Sequence, residues 1–200
     1  MLAYLTWHRP AQGVDAASYE GALERLHRSL AARPPSGFRG SALLRTEEPG
    51  WLSELPARGD AGGPVYEDWY LLDGWSAVGV LEEAAVSRGH VSAHDAVARL
   101  AGDSAAGVYR LCEGSPALGD ARIAAWVRRA PGHEPPTLAA LLGDGMAGES
   151  AGLWRRALGL GPAPEHCLVG PEAPVGTSPA RLPAGWSVEV LAREVLWSGC

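Results

Sequence analysis

Over the first eight residues the side chains fall into two alternating sets, Leu2, Tyr4, Thr6 and His8 against Ala3, Leu5 and Trp7, which is the period of two that a strand requires. Pro10 and Gly13 end that run. The period then changes. Asp15 can cap a helix in which Tyr19, Leu23, Leu26 and Leu30 recur at helical spacing, and Pro34 and Pro35 stop it. Phe38 to Thr46 predicts a second strand, Pro49 to Pro64 an exposed Gly/Pro-rich loop, and Val65 to Leu72 a third strand dense in β-branched, aromatic and leucine side chains. Asp73 and Gly74 turn the chain into a helix over Trp75 to Val86. Ser92 caps a further helical segment through Leu100, and Ala106 to Cys112 supplies another strand.

Beyond the turn-rich stretch Glu113 to Gly119 the pattern restarts in part. Arg122 to Arg129 alternates as a strand, and "IAAWVRR" there aligns with "YLTWHRP" at Tyr4 to Pro10, which sets Trp126 against Trp7. Thr137 to Leu158 predicts a helix broken by Gly143, Gly145 and Gly148. His166 to Val169 predicts a short strand, Pro171 to Pro183 a loop, and Trp186 to Trp197 a final strand. The first half thus runs strand, helix, strand, strand, helix, strand, the split βαβ order called ferredoxin-like. The expected fold is α+β, with a ferredoxin-like lobe over 1–115 and a second, degenerate one over 120–200 packed on it. That second repeat is incomplete, lacking the last helix and strand.

This element order, with the Trp7/Trp126 match, resembles the dimeric α/β barrel superfamily in a tandem, single-chain form. The resemblance covers the whole chain and carries no diagnostic motif. It implies two ferredoxin-like sheets set face to face and a pocket between sheet and helices. Members of the superfamily use that space for small aromatic or polyketide substrates or for haem, so the resemblance names no reaction.

Composition narrows the chemistry. With 46% apolar residues in a chain of 200, one large domain or two small lobes sharing a core can form. The net charge of -6, with 17 scattered basic residues, argues against nucleic acid as a partner. No apolar run is long enough for a membrane helix and the N-terminus has no leader pattern, so a cytoplasmic protein is expected, with no membrane partner. Cys112, Cys167 and Cys200 are odd in number and widely spaced, which indicates neither disulfides nor a cysteine zinc site. There is no lysine and no asparagine, which removes Schiff-base, P-loop and Cys-His-Asn chemistry and points to a GC-rich coding sequence.

Among candidate sites, His8 stands with Trp7 and Arg9 at the end of the first strand, where an imidazole of ordinary pKa near ~6.5 can serve as a general base or merely cap the sheet edge. In "YEDWYLLDGW" Glu67, Trp69 and Leu71 share one face, and Tyr66, Asp68 and Tyr70 the other, as a pocket wall or as sheet packing. His90 and His94 have HxxxH spacing but straddle a helix start with no HExxH glutamate, so no metal site is indicated. His166 adjoins Cys167, but neighbours on a strand point apart, which disfavours a Cys-His nucleophile and leaves His166 a cavity role. Trp154 with Arg155 and Arg156 is expected on a helix, as an anion or subunit contact or as plain amphipathic surface. His27, beside the leucine stripe, reads as structural.

Three functions stay open. The leading one is binding of a small aromatic or hydrophobic molecule in a pocket lined by Trp7, Tyr66, Trp69 and Trp126, with His8 and His166 as its catalytic or polar participants. The second is a cofactor-independent enzyme of the monooxygenase or isomerase kind with His8 or His166 as base. The third is a structural protein whose barrel is filled by its own tryptophans, recognisable by the absence of any cavity of roughly 300 Å³ or more. No cofactor is expected, since no histidine is marked as an axial ligand for haem. The partners to expect are the small-molecule ligand and a second copy of the chain in a homodimer.

Overall fold

The computed structural model describes residues 1–54, 63–87, 89–129, 131–135, 137, 141, 150–172 and 184–199. Within them the chain is an α+β protein. Its strands are β1 (Leu2–Pro10), β2 (Phe38–Thr46), β3 (Val65–Leu72), β4 (Ala101–Gly114), β5 (Ile123–Arg128), β6 (Gly152–Leu160), β7 (His166–Gly170) and β8 (Ser187–Gly199). Three α-helices accompany them: α1 (Ala16–Ala32), α2 (Trp75–Ser87) and α3 (Val91–Ala98). The eight strands close into one antiparallel barrel in the order β1-β3-β2-β8-β5-β7-β6-β4. Closure leaves no free sheet edge.

Local chemistry explains the elements. Asp15 caps α1 by accepting from the Ser18 amide at 2.9 Å, and the helix turns Tyr19, Leu23, Leu26, His27 and Leu30 onto the sheet. Gly37 adopts φ 81°, and a Cβ there would come within 2.6 Å of Ala77 Cβ, so glycine lets α2 pack close to the start of β2.

Alternation along the strands divides the apolar residues between two faces. The inward face gathers Ala3, Leu5, Trp7, Trp69, Tyr109, Trp126, Trp154 and Cys167 into one buried cluster. Trp7 and Trp126 meet edge to face at 5.4 Å, and Trp69 meets Trp154 likewise at 5.5 Å. Indoles thus fill the barrel. At its centre Glu67 Oε2 accepts from Arg193 Nη1 at 2.9 Å and from Trp69 Nε1 at 3.1 Å, while its Oε1 accepts from Trp7 Nε1 at 3.2 Å. A fully buried ion pair therefore ties β3 to β8, its carboxylate satisfied by two indole donors.

Two expectations are corrected. Leu153 to Leu158 is not helical; it lies in β6, so the second half contributes four strands where three were predicted. A bulge hid the strand: Val108 pairs with Leu158 but Tyr109 with Arg156, so Ala157 is an extra residue and the period of two fails. Trp154, inside the barrel, is 0% exposed and offers no surface to a partner subunit. The expected loop from Pro49 to Pro64 begins with a short 3-10 helix, Gly50–Glu54, whose Trp51 and Leu52 are buried against the barrel cluster. Residues 55–62, most of 138–149, 173–183 and Cys200 lie outside the described residues, and with them the glycine breaks and most of the Pro-rich loop. No helix among the described residues is long and apolar enough to cross a membrane.

Candidate functional site

The outward positions of β1 and β3, Tyr4, Thr6, His8, Asp68 and Tyr70, lie under α1, α2 and α3, where the helices and the sheet leave a cavity of about 400 Å³. Those five side chains, with Tyr19 of α1, Glu82 of α2, His94 of α3 and Ser104 of β4, make its polar wall. Leu26, Leu30, Leu81 and Val97 make much of the apolar remainder. An apolar cavity with a few convergent polar groups is the usual form of a small-molecule site.

Asp68 organises the polar wall. It is 4% exposed, and its Oδ2 accepts from His8 Nε2 at 3.0 Å and from the Tyr70 hydroxyl at 3.1 Å. Its Oδ1 accepts from His27 Nε2 at 3.0 Å. A carboxylate only accepts, so both imidazoles carry a proton on Nε2, and the network assigns their tautomers. In the neutral imidazoles His8 Nδ1 then accepts from the Tyr19 hydroxyl at 2.8 Å, and His27 Nδ1 from Ser41 Oγ at 2.8 Å. The result is a chain from Tyr19 through His8, Asp68 and His27 to Ser41. Tyr66 stacks on His8 from the side, ring centroids 6.0 Å apart.

Burial alone would raise the Asp68 carboxyl, but His8 and then His27 beside it hold it well below the usual range. Burial, and next the Asp68 charge, push the Tyr19 phenol well above its ordinary value, so it keeps its proton. Tyr4 is pushed up to about 12, first by burial and then by Glu82, which its hydroxyl contacts.

No family model and no curated protein matches the chain. Among solved structures, a chain from Fusobacterium nucleatum subsp. nucleatum, provisionally named a monooxygenase, superposes with a TM-score of 0.55 over 98% of this chain and 93% of that one, at 11% sequence identity. The likeness is one of fold.

The candidate residues from the sequence separate on this geometry. His8 is in the cavity wall. Trp7, Trp69 and Trp126 are not around it: they sit on the inward face, one strand position away from the residues that are. A wall made of Tyr66 together with Trp69 cannot exist on one side of a strand. Tyr66 does face outward, yet it is enclosed by His8 and Tyr19 and donates to Glu20 Oε1 at 2.9 Å. His166 lies on β7, in the other half of the barrel, 1% exposed, with Glu165 Oε2 3.9 Å from Nδ1 and neither ring nitrogen hydrogen-bonded among the described residues. Burial lowers it to about 4.

The histidines at 90 and 94 diverge. His90 precedes α3 and is engaged by Ser29 Oγ at 2.8 Å and the Arg33 carbonyl at 3.2 Å, whereas His94 lines the cavity. Among the described residues no three His, Cys, Asp or Glu side chains gather as a metal set. Haem would need an axial nitrogen, and His8 does not fit that role because both of its ring nitrogens are held by protein partners. Sequence reasoning missed Tyr19, Tyr4, Glu82 and the linking role of His27. Tyr4 and His8 were already visible on one face of β1; the contacts between α1 and β3 span 41 residues for His27 and Asp68 and have no local signal.

Chemically, the Tyr19-His8-Asp68 hydrogen bonds form a path along which a proton can pass. A ligand proton taken by the Tyr19 oxygen releases the phenolic proton to His8 Nδ1, and the resulting imidazolium is stabilised by Asp68 at Nε2.

Proposed function

We propose that the chain binds a small aromatic or hydrophobic molecule in the cavity between α1, α2, α3 and the sheet, and abstracts a proton from it without a cofactor, with His8 as base through Tyr19. Proton abstraction is the opening step of both an isomerase and a cofactor-independent oxygenase. The observation that carries the reading is that the buried Tyr19-His8-Asp68 chain ends at a cavity of about 400 Å³. A purely structural role accounts for the tryptophan-filled barrel but leaves a polar cavity on its outer face without a purpose.

The same reading takes the chain as two ferredoxin-like units, 1–115 and 120–200, in the manner of the dimeric α/β barrels. Its support is the order around the barrel. β4-β1-β3-β2 and β8-β5-β7-β6 each run fourth, first, third, second, and Trp7 and Trp126 each stand opposite the third strand of their own set, at Glu67 and Cys167.

The test is hydrogen exchange in deuterated buffer with a panel of aromatic ketones carrying an acidic α C–H, followed by proton NMR. Exchange should exceed buffer catalysis, and His8→Gln and Tyr19→Phe should each lower it by about 10²-fold. A bound ketone that shows no exchange makes the protein a binder only, and a panel that includes amine-bearing ketones and yields no binding removes the cavity from consideration.

A further inference from the structure

Resting on that reading of the cavity, we infer that its ligand carries a basic nitrogen, which the Tyr4, Tyr70 and Glu82 corner of the wall receives. Tyr4 and Tyr70 stand side by side on β1 and β3, ring centroids 6.3 Å apart and inclined at 31°. Both line the cavity, as does Glu82 on the exposed side of α2, in contact with the Tyr4 hydroxyl. One face of Tyr70 is stacked on His27, ring centroids 5.3 Å apart, so the Tyr4 ring and the carboxylate beside it supply most of the attraction for a cation, through the ring quadrupole and through direct charge.

The wall is also poor in cations that an anion would need: among the described residues its basic groups are two imidazoles, His8, held by Asp68 and Tyr19, and His94. None of the arginines among the described residues lines it, and the chain has no lysine. Among the described residues Asp68 and Glu82 are its carboxylates, and the Asp68 charge is already taken up by His8, His27 and Tyr70. Glu82 is therefore the carboxylate that meets the ligand. A carboxylate or phosphate entering here would be desolvated next to like charge, which rejects it. An amine at the Tyr4 corner places the apolar body of the molecule along Leu26, Leu30 and Leu81, toward Tyr19 and His8.

Three probes with one naphthyl body, ending in a primary amine, an alcohol or a carboxylate, distinguish the possibilities by titration calorimetry on the full chain at pH 7 and low salt. The amine should bind at least tenfold tighter than the alcohol, and the carboxylate should bind weakest. Glu82→Gln, an exposed and isosteric change, should bring the amine to within about twofold of the alcohol, and Tyr4→Phe, which keeps the ring, should keep most of the preference. Equal binding of amine and alcohol, tight binding of the carboxylate, or an unchanged preference in Glu82→Gln overturns the inference while leaving the cavity as a binding site. Failure of all three probes to bind overturns both.

Discussion

The outer faces of the two halves of the barrel occupy matching places in the strand order and have opposite characters. On the first half, the positions beside Trp7 and Glu67 hold Thr6, His8 and Asp68, and helices cover them loosely enough to leave a cavity. On the second half, the positions beside Trp126 and Cys167 hold Ala125, Val127, His166 and Leu168, and three of these join Leu141, Ala151 and Leu153 in a dry cluster. The inward faces, by contrast, are alike in kind, each giving an indole to the shared core. The first outer face is not polar throughout, since Leu2, Leu72 and Val108 pack there against Leu26, Leu30 and Leu81 of the helices; its polar residues are an inclusion in an apolar layer. The polar site therefore costs the fold little, provided that every buried polar group on it is paired.

That proviso gives the largest expected effect. Asp68→Ala leaves the Nε2–H groups of His8 and His27 and the Tyr70 hydroxyl with no acceptor, and should cost about 3–5 kcal/mol. Urea unfolding at pH 7 measures it. A loss below about 1 kcal/mol would mean that the network does not hold the first half together and that the contrast between the halves is one of shape alone.

How much of this was legible from the chain depends on distance along it. The faces of Tyr66 to Leu71 were readable, because alternation is a property of neighbours, and the assignment of Tyr66, Asp68 and Tyr70 to one side holds. Which side faced the cavity was not, since that is decided by where α1 packs. Large aromatic residues drew attention to Trp7, Trp69 and Trp126, yet in a small barrel bulk belongs inside, and the wall of the cavity is made of smaller and more polar neighbours. The sequence of β6 predicts a helix because the bulge at Ala157 disguises the period of the strand. His27 became a link only through a contact between α1 and β3 that no local pattern announces.

The next effect isolates the second half through pH. His166, buried on a dry face, titrates at about 4 in the folded chain against an ordinary 6.5, with Glu165 close by and Arg129 and Arg155 opposing its charge. Below pH 6.5 the unfolded chain binds the proton and the folded one does not, so stability is fully present above 6.5 and falls as the pH drops toward 4, by up to about 3 kcal/mol. His166→Leu should remove that part of the acid dependence, measured as the difference between the two proteins in unfolding free energy at pH 7 and pH 4.5. Parallel curves would show that His166 has a partner or a charge that its surroundings do not suggest.

The smallest effect is at the position on the first half that corresponds to His166. Tyr66 stands opposite His8 as His166 stands opposite Val127. There the similarity ends, because Tyr66 has partners on every side: the His8 ring stacked on it, the Tyr19 ring edge-on at 5.3 Å and Glu20 at its hydroxyl. Burial, then Glu20, raises the phenol above its ordinary value, so it stays protonated through the whole range in which His166 titrates. Tyr66→Phe keeps both ring contacts and loses one hydrogen bond, and Arg45, 2.9 Å from the same Glu20 oxygen, still pairs with that carboxylate. The loss should be about 1 kcal/mol and the same at pH 7 and pH 4.5, measured alongside His166→Leu. A cost that grows in acid would tie Tyr66 to a neighbour that gains a proton over that range, and would extend the polar site of the first half one strand position further than the cavity wall.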